Sequence, residues 1–346
     1  MEKVSIAFTQ NSFFSNQPVT GNIEIHCRHP VKAGSIRFMV YGLSSTAMRA
    51  KEERQLFVRK NPKPETVEVR YSAQDKFLVD KVVVWYGDKD GIIPSGVSTY
   101  PFSFRLPANC PSTFKGGFGG TVYTMIVSCG NWEVFPKVQS TKEFRAIVPV
   151  EVPIEPISRG VVQPCKTTCK CEPITLIVTL PRSGYVPGEV IPITLQINNQ
   201  SNGKIKSAVV SLYQMEKCSG INPGPKKSHK TLLKSCIAQE QQECRILQRT
   251  KNSFEMELKV PERLTPTSTI PHIVEVEYSL EVSLNTSIHN GEVAKVVIPI
   301  LIGSVPLRPI VTRPARLEQV LGSLQISQFS APPPYSSVSP SAPVEE

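Results

Sequence analysis

Long apolar runs are missing from this sequence of 346 residues. No stretch approaches the roughly 18 apolar residues that a membrane-spanning helix needs, so we expect no such helix. The first residues lack a basic segment followed by an apolar one, and we therefore expect no secretory signal and a cytoplasmic chain. The nine cysteines are then expected to be free thiols in a reducing compartment.

Uninterrupted helix-forming segments are also scarce. Proline supplies 31 of the 346 residues, about 9%, against a usual share of about 5%. Because proline removes an amide donor and clashes with the preceding turn, its spread along the chain excludes long helices. Histidine is rare as well, with five residues, and no Ser/His/Asp or Cys/His arrangement can be assembled. The sequence therefore predicts no catalytic residues and no enzyme.

What the sequence does contain is two-residue alternation of apolar and polar side chains. Turn-forming pairs such as Asn202-Gly203 and Asn290-Gly291 interrupt the alternation at short intervals. Many short strands separated by turns predict an all-β protein made of antiparallel sandwiches. The predicted core-facing sets are Ile23, Ile25 and Cys27; Ile36, Phe38 and Val40; Ile174, Leu176, Val178 and Leu180; and Val274, Val276, Tyr278 and Leu280.

An internal repeat indicates two copies of one sandwich. The segment Pro111-Ser112-Thr113, followed by Tyr123, returns as Thr265-Pro266-Thr267, followed by Tyr278. A second shared element is the Gly-containing start of a strand near residue 21, which returns near residue 188. Features that recur in the same order at similar offsets are typical of a duplicated domain.

The repeat and the composition divide the chain into four parts. We predict an N-terminal sandwich at 1–152, a linker rich in proline and cysteine at 153–171, and a C-terminal sandwich at 172–303. Residues 304–346 contain 8 prolines and 8 serines. Such a segment cannot bury enough apolar area to offset its ordering entropy, so we predict a disordered tail.

Several segments resemble the arrestin-domain-containing (α-arrestin) family. The stretch PSGVSTYPFSFRLP at 94–107 is similar to one strand of that family, and GYVPGE at 184–189 and VEYSL at 276–280 match its second domain. The stretch IPILIGSVPL at 298–307 is similar to the terminal strand. The resemblance covers about residues 1–307 and implies two arrestin-like, immunoglobulin-like sandwiches joined by a short linker.

The resemblance also implies a function, that of a non-enzymatic trafficking adaptor without a cofactor. The sandwiches would bind cytoplasmic parts of transmembrane receptors or transporters. The tail would bring a WW-domain, HECT-type ubiquitin ligase to this cargo, for ubiquitination and endosomal sorting. The expected location is the cytoplasm, with peripheral association at the plasma membrane and endosomes.

The sharpest chemical motif lies in the tail, where Pro332, Pro333 and Pro334 precede Tyr335. Consecutive prolines favour a polyproline II helix, so little entropy is lost when the segment binds. An aromatic groove of a WW domain accepts the prolines, and a second pocket accepts the tyrosine ring. We predict WW-domain binding through Pro332, Pro333 and Tyr335. α-Arrestins often carry two such motifs, whereas this sequence carries one.

Three cysteines in the linker, Cys165, Cys169 and Cys171, form a C-x3-C-x-C pattern. Structural zinc sites usually show C-x2–4-C pairs, and the second spacing here is shorter. S-acylation of the cluster would instead hold the linker at a membrane. Free thiols without a role are the third interpretation, and the sequence analysis predicts no metal site.

Three other patterns imitate ligand sites. The glycine-rich stretch at 115–121 lacks the lysine of a phosphate-binding loop and precedes a strand, so it predicts a hairpin connection. His26 and Cys27 are neighbours on a predicted strand and point to opposite faces, which prevents joint chelation. The basic stretch Arg49–Lys63 could contact lipid head groups or an acidic cargo tail, or could be a solvated loop between strands.

Two alternatives to the adaptor belong to other classes. One is a structural coat subunit resembling the arrestin-like component of retromer, held in a permanent complex. The other is a basic lipid-binding or nucleic-acid-binding module, suggested by the formal charge of +10. Acidic residues interrupt every basic run and no nucleic-acid module is recognisable, so we expect no nucleic acid as a partner but allow peripheral contact with anionic membrane.

Overall fold

Alternating strands, from two to 24 residues long, build the described fold. The computed structural model describes residues 3–56, 63–87, 91–130, 138–163, 173–222, 224, 227–287 and 292–305. The prediction of an all-β protein with two sandwiches is confirmed, and these residues contain strands, turns and bends but no helix. Across the same residues, no helix has the length and apolar character required to cross a membrane.

The N-terminal half contributes eleven strands among the described residues. They are β1 (Lys3–Phe8), β2 (Ser12–Phe14), β3 (Pro18–Cys27), β4 (Val31–Lys32), β5 (Ser35–Leu56), β6 (Lys63–Tyr86), β7 (Ile92–Ile93), β8 (Gly96–Arg105), β9 (Phe114–Lys115), β10 (Gly119–Gly130) and β11 (Val138–Ile147).

The C-terminal half contributes the remaining strands of the described part. They are β12 (Ile157–Gln163), β13 (Ile174–Leu180), β14 (Gly184–Tyr185), β15 (Val190–Asn199), β16 (Ile205–Ile221), β17 (Ser228–Ile246), β18 (Thr250–Lys259), β19 (Val274–Thr286) and β20 (Glu292–Ile302).

The N-terminal sandwich packs the antiparallel sheet β1–β3–β8 against the sheet β6–β5–β10–β11–β2. The predicted inward faces of β3 and β5 are buried in one core, where Ile23, Ile25, Ile36 and Val40 are fully shielded from solvent. Alternation places every second side chain of a strand on the same face, so these sets could be predicted from sequence. A small ribbon of β4 and β7 adjoins this sandwich.

The C-terminal sandwich packs β12–β13–β15–β18 against the sheet that contains β14, β20, β19, β16 and β17. Strand β12 falls within the stretch that the sequence analysis assigns to the linker. It pairs antiparallel with β13 from Ile157 to Gln163, and the side chains of Ile157 and Val161 pack against the core. Gly160, Val161 and Val162 interrupt the alternation of apolar and polar residues. Because of this interruption, the strand could not be recognised from the sequence pattern.

Strands β5 and β6 form a long hairpin that joins the two sandwiches. Its outer half reaches the C-terminal sandwich, where Met48, Val69 and Tyr71 are buried in the second core. A backbone pair between Ser72 of β6 and Ile221 of β16 makes the two larger sheets continuous. The interpretation of 49–63 as a loop was therefore wrong for its first residues, because β5 continues to Leu56.

The repeat places two tyrosines in equivalent positions. The hydroxyl of Tyr123 on β10 donates a hydrogen bond to the C=O of Pro111, and that of Tyr278 on β19 donates to the C=O of Thr265 at 2.6 Å. Burial raises the pKa of both phenols, so both remain protonated donors. Each tyrosine thereby anchors the Pro-containing loop that precedes its strand.

We expect Tyr278→Phe and Tyr123→Phe each to lower the free energy of unfolding by about 1 kcal/mol, since each leaves a loop carbonyl without its donor. Urea denaturation followed by tryptophan fluorescence measures the change. Tyr86→Phe is the matched control, because Tyr86 is 69% exposed. Equal stability of all three variants would contradict the anchoring role.

Candidate functional site

The two sandwiches meet at a buried carboxylate. Glu216 lies on β16 and is 2% exposed. Its Oε2 accepts a hydrogen bond from the backbone N–H of Gly117 at 2.7 Å, and its Oε1 accepts one from the N–H of Phe118 at 2.8 Å. Both amides belong to the turn between β9 and β10 of the N-terminal sandwich. Two charge-assisted bonds satisfy the buried charge and tie the domains together.

Neighbouring groups extend this junction. The thiol of Cys218 donates to Oε1 of Glu216 at 3.2 Å. Burial and the adjacent carboxylate raise the pKa of Cys218 to about 12, so the thiol remains a donor. Thr46 adds a second link between the sandwiches, because its Oγ1 donates to the C=O of Ser219 at 2.7 Å. The same oxygen accepts from the N–H of Ala73, on the neighbouring strand β6, at 3.0 Å.

Close packing favours glycine where the turn approaches Glu216. A Cβ atom added at Gly116 would collide with the Glu216 carboxylate, and one added at Gly117 would lie 2.7 Å from the Leu233 side chain. The prediction of a glycine-rich hairpin connection is confirmed, since β9 pairs antiparallel with the start of β10. The stretch that imitates a phosphate-binding loop is therefore a point of close contact between domains.

The repeated loops form a further contact between the sandwiches. Thr265 Oγ1 donates to the C=O of Thr113 at 3.2 Å, and Arg145 Nη2 donates to the C=O of Leu264 at 3.1 Å. These are the loops that the equivalent tyrosines anchor. The duplication thus brings corresponding loops of the two copies face to face.

The last described strand ends against the joint between the domains. The Oγ of Ser304 accepts from the N–H of Val150 at 2.9 Å and donates to the C=O of Val148 at 2.8 Å. The N–H of Ser304 donates to the C=O of Val150 at 3.0 Å. Val305 is the last described residue, so the C-terminal segment follows directly after this joint.

A groove of about 760 Å³ lies beside the glycine-rich turn. Small polar side chains of β5 and β6 line it together with Arg70, and Ser72 and Gln74 are exposed in its wall. Polar walls with few apolar groups suit hydrogen bonding to a peptide better than enclosure of an apolar ligand.

The residues that the sequence analysis proposed for binding lie outside the described residues. These are Pro332, Pro333 and Tyr335 of the WW-binding motif and Cys165, Cys169 and Cys171 of the linker cluster. WW binding, acylation, zinc binding and free thiols therefore stay predictions for these positions.

The neighbouring His26 and Cys27, which imitate a metal site in the sequence, lie on opposite faces of β3. Cys27 is buried in the core, whereas His26 is half-buried and belongs to the opposite face, as the alternation predicted. In the described ranges, no group of three or more His, Cys, Asp or Glu side chains comes together as a metal site would require.

The outer face of the C-terminal sandwich carries a second buried carboxylate. Glu281 on β19 is 5% exposed and forms ion pairs with Lys234 of β17 and Lys295 of β20. The Nζ of Lys234 also lies 4.1 Å from the ring centroid of Tyr213. Burial alone would raise the pKa of Glu281, but the hydrogen bonds and charges of the two lysines outweigh it, so the pKa lies below its usual value.

The lowered pKa of Glu281 predicts a pH-dependent contribution to stability. Glu281→Gln should lower the free energy of unfolding by about 1–2 kcal/mol at pH 7, since the lysines are partly solvated. A group whose pKa is depressed on folding stabilises above its unfolded pKa, near 4.5 here, and this stabilisation is lost as pH falls through the folded pKa. Urea titrations at pH 7, 5 and 3.5 should therefore show that the difference in unfolding free energy between wild type and Glu281→Gln becomes smaller as the pH falls. A difference that stays constant would contradict the ionic contribution.

Comparison with known proteins identifies both halves. The family model described as "Arrestin (or S-antigen), N-terminal domain" matches residues 3–153, and that described as "Arrestin (or S-antigen), C-terminal domain" matches residues 170–307. The chain is 28% identical to arrestin domain-containing protein 5 of Homo sapiens over 159 residues, covering 44% of this chain and 46% of the relative. It is 23% identical to arrestin domain-containing protein 1 of Mus musculus over 330 residues, which cover 92% of this chain and 67% of that relative.

A third relative, arrestin domain-containing protein 17 of Caenorhabditis elegans, is 24% identical over 216 residues, which cover 58% of this chain and 49% of that protein. The chain thus spans about half the length of two of these relatives. Two β-sandwiches joined in this order define an arrestin fold. The chain belongs to the arrestin family, and it is similar to the arrestin-domain-containing, α-arrestin-like members.

Proposed function

We propose that this protein is a non-enzymatic adaptor of the α-arrestin type. Its sandwiches bind cytoplasmic parts of transmembrane receptors or transporters, and its C-terminal segment binds WW-domain, HECT-type ubiquitin ligases. The observation that carries the proposal is the anchoring of Ser304 on Val148 and Val150. It makes the segment that carries Pro332–Tyr335 start from the junction of the two domains.

The mechanism is a rise in effective concentration. The 26 residues between Val305 and Pro332 can span at most on the order of 100 Å. A ligase bound at the motif is thereby kept close to cargo bound on the sandwiches, so ubiquitin transfer becomes nearly intramolecular. The ubiquitinated cargo then enters endosomal sorting.

The cargo contact is proposed at the polar groove beside the glycine-rich turn. This groove adjoins the Glu216 junction and opens to solvent next to Arg70. Exposed hydroxyl and amide groups there offer hydrogen bonds to a peptide segment of a membrane protein. The formal charge of +10 supports peripheral contact with the anionic cytoplasmic leaflet during this encounter, without nucleic acid as a partner.

Proximity labelling in cells tests the proposal. The full chain should label both HECT-type ligases and membrane proteins, whereas a chain ending at Pro306 should keep the membrane proteins and lose the ligases. Ser339→Ala, a change in the same segment outside the motif, is the matched control and should behave as wild type. Retention of ligases by the shortened chain, or labelling of neither class by the full chain, would refute the adaptor.

A further inference from the structure

Strand β17 presents a long unpaired edge. It has 19 residues and pairs antiparallel with β16 along one side. Within the described residues, no strand pairs with its other side. Such an edge exposes a row of backbone N–H and C=O groups that can pair with another strand.

Another sheet edge of this protein carries a proline, which β17 lacks. The edge strand β8 carries Pro101 at its centre, and proline cannot donate a backbone hydrogen bond to an added strand. Strand β17 contains no proline between Ser228 and Ile246. A one-residue bulge lies at Ile237, where the partner of Leu212 is Ala238 and that of Tyr213 is Cys236. A second register shift lies at the end of the strand, beyond Glu243.

The charges of β17 are divided between its two ends. Its first part carries Lys230 and Lys234, its second part carries Glu240 and Glu243 with Arg245 next to the last residue, and the residues from Ser235 to Gln239 between them are uncharged. A parallel neighbour with the same sequence would therefore meet like charges. An antiparallel neighbour with the same sequence would meet opposite charges at both ends.

The register places one lysine and one glutamate on the same face of the sheet. Lys230 is opposite Ser219, the neighbour of the core residue Cys218, and so lies on the face directed away from the core. Glu243 is opposite Ser207, the neighbour of the core residue Ala208, and lies on that same outer face. The bulge at Ile237 shifts the alternation between Lys230 and Glu243, so both side chains lie on one face. A two-fold axis between Cys236 and Ile237 would place Lys230 of one copy opposite Glu243 of the other.

We propose that β17 is a dimerisation edge, on which a second copy of this chain adds its own β17 in antiparallel orientation. The two-fold axis passes next to Cys236, and Lys230 of each copy pairs with Glu243 of the other. Lys234 does not contribute to this contact, because Glu281 of its own chain holds it. The self-complementary charge pattern selects a second copy over an unrelated strand.

Sedimentation equilibrium of the full chain measures the association. Wild type should form a reversible dimer, and Lys230→Glu or Glu243→Lys should each raise its dissociation constant about tenfold, since each change places like charges at both symmetric contacts. An equimolar mixture of the two variants should restore dimerisation, because every contact is again between opposite charges. Monomeric wild type, charge reversals without effect, or a mixture that stays monomeric would each overturn the proposal.

Cross-linking locates the axis independently. Cys236 is exposed, so a short bis-maleimide, which alkylates one thiol at each end, should join two copies through it. Cys236→Ser should abolish that product, whereas Cys244→Ser, the control, should retain it. A chain ending at Pro306 should dimerise as the full chain does. If only the shortened chain dimerises, the C-terminal segment covers the edge, and the proposal is wrong.

Discussion

Replacing Glu216 by alanine should lower the free energy of unfolding by about 3 kcal/mol, one of the largest effects expected of a single substitution here. The change removes the buried acceptor of the Gly117 and Phe118 amides, and at the half-buried Phe118 water replaces that acceptor only in part. It also leaves a void at the contact between the domains. Urea denaturation measures the loss, and hydrogen exchange should show faster exchange at the Gly117 and Phe118 amides.

Glu216→Gln separates the hydrogen bonds from packing, since glutamine has nearly the same volume. Its carbonyl oxygen can accept from one amide, but its NH2 group then faces the other amide, so we expect a loss of about 1–3 kcal/mol. Glu257→Ala is the control, because Glu257 is exposed on β18. Wild-type stability of the glutamine variant would show that the carboxylate does not hold the turn.

The fold could be predicted from the sequence because the alternation of apolar and polar residues is a local property. The inward sets of β3, β5, β13 and β19 could be assigned from spacing alone, and all of them are buried. The extension of β5 beyond Arg49 could not be predicted, because the contacts that stabilise it are with residues distant in sequence. Met48 and Tyr71 pack into the core of the other sandwich, and no local signal shows this.

The Glu216 junction was missed for a related reason. A single acidic residue in a strand ordinarily indicates a solvated face, so no role for Glu216 was expected. The sequence did contain one indication of its burial. Glu216 lies two residues before Cys218 and therefore on the same face of β16, and Cys218 belongs to the core. A carboxylate on a core face needs donors, and the glycine-rich turn that supplies them lies almost 100 residues earlier (|i−j| = 99 for Gly117).

Tyr335→Ala should weaken binding of an isolated WW domain by about 30-fold or more, corresponding to the ~2 kcal/mol of an anchoring aromatic residue. The tyrosine ring fills its own pocket, whereas the prolines share a groove, so Pro332→Ala and Pro333→Ala should each weaken binding less. Phosphorylation of Tyr335 would place a charged group in an apolar slot and should block binding.

The measurement is a calorimetric titration of WW domains against a peptide of residues 325–346, in wild-type form and with Tyr335→Ala or, as the control, Ser339→Ala. A segment of this length buries far less than the roughly 1,600 Å² of a standard interface, so wild-type binding should be weak and reversible. One motif per chain gives little avidity towards a ligase with several WW domains, and two chains joined through β17 would present two motifs. Equal affinity of the wild-type and Tyr335→Ala peptides would refute recruitment through this motif, whatever the sandwiches bind.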